Sequence, residues 1–234
     1  SHIDMPQDYA FFATMYKFAS KYNIKYILTG ANYSTECIRN PIEWMYYQSD
    51  TSQLEDIYKK NSTTNLKLKN FPKTSILWHK FWLPFFRGVK VVKPLNMINY
   101  IKKDAEKELI EKFGFKTYKQ KHFESRFTRF YEGHWLLERF GYDVRRVQFS
   151  SLILNGQMSR SKAIELLNEK PLDEAEINLE YNFIANKLDI TLKTLKGYFN
   201  MPKKSYRDYK NQLSLYKLGA RLLRKLGLEL GGKR

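Results

Sequence analysis

A single cysteine, Cys37, stands in this chain of 234 residues. It excludes an intramolecular disulfide and is too little for a structural zinc site, which takes four thiolate or imidazole ligands. His79, His122 and His134 are not spaced as ligands for one ion, so no metal site is expected from this sequence. Long apolar runs are also missing: nothing approaches the roughly 18 consecutive apolar residues that span a bilayer. With no apolar leader and a thiol content suited to a reducing compartment, the expected location is cytoplasmic. There is no Walker motif and no Gly-x-Gly-x-x-Gly, and the one Gly-Gly pair, Gly231-Gly232, lies in the tail. No Ser/His/Asp or Cys/His grouping announces a nucleophile. No internal repeat or low-complexity segment is visible.

Acidic residues are the other shortage. Lys and Arg number 41 against 24 Asp and Glu, a formal charge of +17. Residues 201–234 hold ten Lys/Arg against Asp208 and Glu229, and residues 116–146 hold eight against four acids. Such a surface attracts polyanions such as nucleic acid, nucleotides, sugar nucleotides or anionic lipid. A solvated basic surface without a specific partner fits the same numbers, so charge alone does not choose.

What is present begins with Lys25-Tyr-Ile-Leu-Thr-Gly-Ala-Asn-Tyr-Ser-Thr-Glu36. It reads as a buried strand over residues 24–30 that stops at Gly30 and opens into a polar loop. An amphipathic helix over 7–22, with Phe11, Met15, Phe18 and Ala19 on one face, precedes it. Helix followed by an apolar strand is the order of a parallel α/β sheet, where ligands bind at the carboxyl ends of strands. The string leaves two readings open: a ligand-binding loop, or a helix-capping loop with Ser34 or Thr35 as N-cap.

Residues 1–5 read as an expression remnant, and native sequence is expected to start inside a helix near Gln7, as in a piece of a longer protein. The stretch from Pro41 to Asn70 reads as a polar insertion with a short helix over 52–60. Residues 76–86 are rich in aromatics, and Pro84 disfavours a regular helix through their end. A second strand over 89–95 ends at Pro94. A helix over 97–113 should follow, with Ile98, Ile101, Ala105, Leu109 and Ile110 inward and Gly114 as its stop. From Phe123 onward strands disappear, and helical patterns run over 124–140, 143–154, 159–168, 173–187, 191–199 and 205–226. Asp143, Ser159 and Asp173 are the N-cap candidates. In the last helix Tyr209, Leu213, Tyr216, Ala220, Leu223 and Leu226 make a narrow apolar stripe flanked by cations. Packing, docking on a partner and an anionic membrane compete for it; an intramolecular or subunit contact suits it best, a membrane surface least. The organisation is thus a partial α/β region over 6–116 and a helical region over 117–234.

The densest polar stretch is Lys119-Gln-Lys-His-Phe-Glu-Ser-Arg-Phe-Thr-Arg129. Lys121 and Arg126 can clamp phosphate oxygens, arginine by a bidentate fork. Arg145, Gln148 and Ser151, spaced by three, can face one way on a helix. Salt-bridged, solvated helix faces are the plainer alternative.

Three strings resemble a known family: Tyr26-Ile-Leu-Thr-Gly-Ala-Asn32, Lys121-His-Phe-Glu-Ser-Arg-Phe-Thr-Arg-Phe130, and the block from Phe140 to Arg160, of which the last is the most specific. They look like the N-acetyl sugar amidotransferases of lipopolysaccharide and related surface-glycan biosynthesis, in the ATP-pyrophosphatase (PP-loop) superfamily. The resemblance covers most of residues 7–168. It implies an α/β fold: the second half of an adenine-nucleotide-binding parallel sheet followed by a helical C-terminal region. It implies conversion of an acetamido group on a nucleotide-linked N-acetyl sugar to an acetamidino group. ATP with Mg²⁺ adenylates the amide oxygen, and ammonia from a separate glutaminase subunit displaces AMP. Thr29, Gly30, Ala31 and Asn32 would lie along the nucleotide edge, and Lys121, His122 and Arg126 would approach phosphate or sugar nucleotide. Arg145 and Arg146 carry over more weakly. No nucleic acid partner is implied, and a homo-oligomer is compatible. The family's Ser-Gly-Gly-x-Asp-Ser phosphate loop and N-terminal cysteines belong before Gln7, so the chain is expected to be the C-terminal part of such an enzyme and inactive alone. A tRNA-modifying member of the superfamily and a non-catalytic docking module are the rival readings.

Overall fold

The computed structural model describes residues 3–44, 46–63, 68–225 and 227. The chain forms two compact units, each assembled from separated segments: Ser1–Thr29 with Pro41–Lys93 and Lys204–Arg234, and Gly30–Asn40 with Pro94–Lys203. The described residues are mostly helical with one small parallel sheet.

In the first unit, helix α1 (Met5–Lys21) starts with a proline in its first turn, where the missing N–H costs nothing. Its packed stripe is Met5, Tyr9, Ala13, Tyr16 and Ala19; of the expected face Ala19 is buried and Met15 packs on the core, but Phe11 and Phe18 are 60% and 54% exposed. At Tyr9 the hydroxyl finds a partner, and at Tyr16 the ring does. Tyr9 donates to the Asp50 carbonyl at 2.6 Å, and the Tyr16 ring lies 4.5 Å from that of His79. Met5, within the segment read as a remnant, closes a core cluster with Tyr9 and Leu54. Strands β1 (Tyr26–Leu28) and β2 (Lys90–Val92) pair in parallel, Tyr26 opposite Lys90 and Leu28 opposite Val92. The parallel pairing matches the sequence reading; the burial does not. Ile27 packs on the cluster of Tyr16, Leu83 and Val89, while Tyr26 and Leu28 are exposed. With two strands among the described residues, one sheet face is covered and the strand alternates.

Helix α3 (Thr51–Asn61) lies where the insertion was expected to hold one, its first turn capped by Asp50. The aromatic stretch Trp78–Phe86 is a wide-turned π-helix containing Pro84, closed by the Arg87 N–H reaching back to the Trp82 carbonyl. The expected departure from a regular helix at Pro84 therefore takes the form of a wider pitch. The tail departs from its expected single helix. A turn at Tyr206–Asp208 is followed by extended backbone, and the helix proper, later α11, covers Leu213–Lys225. Buried carboxylates cause the break: Asp56 accepts the Lys210 N–H at 2.9 Å and Asp50 the Gln212 N–H at 2.7 Å. Of the tail helix's stripe, Tyr216 packs intramolecularly, stacked 4.0 Å from Tyr47 with its hydroxyl 2.5 Å from Ser49, while Ala220 is exposed and no described residue of the helix is fully buried. Leu226 and Gly231-Gly232 lie outside the described residues.

The second unit is built of helices joined by loops, with no strand among its described residues. It comprises α2 (Tyr33–Glu36), α4 (Lys102–Phe113), α5 (Arg126–Phe130), a wide turn at Tyr131–Trp135, and α6 (Leu136–Phe140). There follow α7 (Arg145–Leu154), α8 (Arg160–Asn168), α9 (Glu174–Lys187) and α10 (Leu192–Asn200). Helix α4 begins five residues later than expected and buries none of its apolar residues; Ile98 is 62% exposed. Gln157 explains the late start, accepting the Lys102 N–H at 3.0 Å and donating to the Tyr100 carbonyl at 3.2 Å, which holds the preceding segment out of the helix. Gly114, at φ 64°, stops it as expected. The core collects Phe130, Trp135, Leu136, Ile184 and Leu195. Gly133 is tightly enclosed there: a Cβ would sit 3.1 Å from Phe123 and 3.2 Å from Leu172, so those side chains would have to give by a few tenths of an ångström. Ser159 and Asp173 cap α8 and α9. Asp143 does not cap α7: the N-cap is Val144, and the Asp143 carboxylate is taken by the Arg145 backbone and guanidinium.

Candidate functional site

A cavity of about 410 Å³ opens in the second unit, within the range that holds a nucleotide-sized ligand. One side comes from Gly30 and α2. Asn32, buried at 7%, accepts the Thr35 N–H at 2.8 Å and donates to the Gly30 carbonyl at 3.1 Å, fixing both ends of that short loop. The loop thus behaves as a helix cap, with Asn32 rather than Ser34 or Thr35 as the capping residue. Ser151 of α7 holds its exit, accepting the Ile38 N–H at 3.0 Å.

The opposite side is set by Arg145. Its guanidinium pairs with Asp143 at 2.7 Å and donates to the carbonyls of Leu166 (2.9 Å) and Glu169 (2.8 Å), among the free carbonyls that end α8. A cation at a helix C-terminus that also fills the orphan acceptors is a strong local bond. Gln148, one turn along α7, joins Arg145 on the wall, so the three-residue spacing seen in the sequence works for that pair, while Ser151 serves α2 instead.

The third side is the segment Lys119, Gln120 and Lys121. His122 adopts φ 69°, a left-handed conformation that turns the chain between Lys121 on the wall and Phe123 in the core. Lys121 pairs with Glu36. The Gln120 Nε2 atom is buried and has no hydrogen-bond partner among the described residues.

Charge and shape divide the lining. Lys102, Lys119, Lys121, Lys170 and Arg145 face two carboxylates, Glu36 and Glu169, so the potential is positive. Phe149, Leu152, Met158 and Leu166 form an apolar wall. An anionic group with a flat apolar attachment suits both. Tyr100 borders this cavity and also a second one of about 340 Å³. Among the described residues no group of three or more His, Cys, Asp or Glu side chains is placed to hold a metal ion.

Of the residues singled out from sequence, Gly30, Asn32 and Lys121 meet on this cavity; Thr29, Ala31, His122 and Arg126 are not on its lining. Burial opposes charging of His122, but the Glu132 carboxylate 3.0 Å away outweighs it and raises its pKa. Arg126 lies 3.8 Å above the Phe183 ring and donates to Glu180, a fully buried carboxylate that Arg129 also binds. Sequence reasoning did not single out Lys102, Gln120, Tyr100 or Lys170. Gln120 sits inside the polar stretch already noted, but nothing local marks Lys102 or Lys170.

Residues 124–223 match the family model described as LPS biosynthesis protein WbpG-like, C-terminal domain. No curated protein and no solved structure matches the chain. No described helix is long and apolar enough to cross a membrane.

Proposed function

We propose, from the match of residues 124–223 to the family model of WbpG-like C-terminal domains of LPS biosynthesis proteins, that the chain is the C-terminal part of an ATP-dependent amidotransferase. Its substrate is a nucleotide-linked N-acetyl sugar, whose acetamido group becomes an acetamidino group with ammonia supplied by a glutaminase subunit. The single observation that carries this reading is the cationic cavity, lined by Lys119, Lys121 and Lys170 together with an unpartnered Gln120 amide and an apolar wall. Lysines neutralise a diphosphate, the buried amide donates to one of its oxygens, and the apolar wall takes a base.

The site fits a phosphate-bearing nucleotide. It supplies no carboxylate set for Mg²⁺, which would enter held by phosphates and by residues outside this cavity. Bound ATP would supply the activation of the acetamido oxygen. What this chain's residues do is bind and orient: Lys121, released from Glu36, meets the phosphates, and Gly30 and Asn32 border the nucleotide.

The test has two stages. UDP-N-acetylglucosamine should bind the isolated chain by calorimetry, and Lys121→Met should weaken it about tenfold, as loss of a charge-assisted contact of about 1.5 kcal/mol implies. In the full-length parent, sugar-dependent AMP release from ATP with ammonia should fall in the same variant. Unchanged binding and turnover in a folded Lys121→Met protein would sink the reading. Selective retention of tRNA at moderate salt, with no sugar nucleotide bound, would favour the RNA-modifying alternative.

A further inference from the structure

Next to the cationic cavity lies the second one, and its chemistry is different. Its polar lining is Ser34, Asn99, Tyr100, Asn155 and Gln157, with Lys103 as its one charged side chain among the described residues. Hydroxyls and carboxamides both donate and accept, which is the complement of sugar hydroxyls and of an acetamido group rather than of phosphate.

Two of these groups are fixed and three are available. Gln157 is spent holding the segment at Tyr100 and Lys102. The Asn155 amide donates to the carbonyls of Tyr33 at 3.2 Å and Ser151 at 3.0 Å, tying α7 to α2. Those bonds set the walls. The Ser34 hydroxyl, the Asn99 carboxamide and the Tyr100 hydroxyl make no side-chain hydrogen bond among the described residues, and all three belong to this cavity's lining. Tyr100 also belongs to the first. Burial, then Glu106 and Glu36, raise its pKa, so its hydroxyl stays protonated and available as a donor.

We infer that the second cavity is the sugar subsite of the same ligand whose phosphates occupy the first, with Ser34, Asn99 and Tyr100 as its specificity-determining contacts to an N-acetylhexosamine. The inference rests on the nucleotide-sugar reading above. Two adjoining cavities that share a lining residue, one cationic and one neutral and amide-rich, fit a single molecule with a charged and an uncharged half.

The test compares UDP-N-acetylglucosamine, UDP and free N-acetylglucosamine on the chain, by calorimetry and by saturation-transfer NMR that reads sugar protons separately from uridine protons. UDP-N-acetylglucosamine should bind more tightly than UDP. Asn99→Leu should remove most of that difference, about fivefold to tenfold for one hydrogen bond to the sugar, while changing UDP affinity less than twofold. Tyr100→Phe, which keeps the ring and its packing, should act in the same direction and serves if Asn99→Leu does not fold. Lys121→Met should weaken both ligands together. Equal affinity for UDP and UDP-N-acetylglucosamine, or equal losses for both in Asn99→Leu and Tyr100→Phe, overturns the subsite and leaves the nucleotide reading standing. Failure of either ligand to bind the folded chain overturns the nucleotide reading and the subsite with it.

Discussion

The two units lean on different means of burying polar groups. In the first, neutral groups dominate: Tyr9, Tyr16, Tyr206 and Tyr216 have pKa values pushed up by burial, and burial pushes His79 down to about 4, while Asp56 there has its pKa lowered by its pairing with Lys60. Even Asp50, fully buried there, has its carboxyl pKa raised by burial, against the Gln212, Gln53 and Ser52 backbone donors that favour the anion. The second unit holds Arg145 with Asp143 and Glu180 with Arg126 and Arg129 as ion pairs, alongside Tyr181 and His134, whose neutral forms burial favours. A buried hydroxyl costs little when it finds a partner, as Tyr9 does, whereas a buried ion needs several of its donors and acceptors filled. The unit that carries the cationic cavity is the one that buries Arg145 and Glu180 as ion pairs.

The comparison breaks most sharply at Asp143. Asp143→Ala leaves the Arg145 guanidinium, 5% exposed, without its carboxylate. The expected cost is about 3–5 kcal/mol, read as a lower midpoint in urea with unchanged slope. A loss below about 1 kcal/mol, within the range of surface ion pairs, would mean that the second unit is not organised by its charges.

The next effect is acid sensitivity in the first unit. Because the His79 pKa falls from 6.5 to about 4 on folding, the stability it confers is complete above the unfolded value and is lost as pH drops through that interval. Its size is at most about 3 kcal/mol. Asp50, shifted the other way, works in the opposite sense, so the informative quantity is the difference between the parent and His79→Phe. Urea midpoints measured across that pH window should separate the two proteins; parallel curves would show that His79 protonates freely in the fold.

The smallest effect has the reverse sign and lies in the second unit. The raised pKa of His122 gives a contribution present at low pH and lost as pH climbs through the raised value. An NMR titration should find His122 above its ordinary range, and Glu132→Gln should bring it back down. A low value in the parent would place His122 with His79 and His134, whose neutral forms burial favours, and blur the contrast further.

The features that were legible in the sequence are those written in neighbouring residues. The caps at Ser159 and Asp173, the stop at Gly114, the parallel order of β1 and β2 and the absence of strands beyond Phe123 among the described residues are local signals. What was not legible depends on distant partners. Phe11 is more apolar than Tyr9, yet Tyr9 is the buried one because Asp50 offers a carbonyl to its hydroxyl. The tail helix breaks because Asp50 and Asp56 claim two of its N–H groups. The site shows the same division. Gly30, Asn32 and Lys121 lay in strings that stood out, whereas Lys102 and Lys170 reach the cavity through the folding of α4 and the end of α8.

Arg145 has one more consequence. Its donors are committed to Asp143 and to the carbonyls of Leu166, Leu167 and Glu169. It therefore lends the cavity a permanent field but no hand to grasp with. The wall behind α8 is cast before any ligand arrives, which keeps the ordering cost of binding small. Loosening that clamp would show itself in residence time, as faster escape of a bound molecule, more than in the rate at which it is captured.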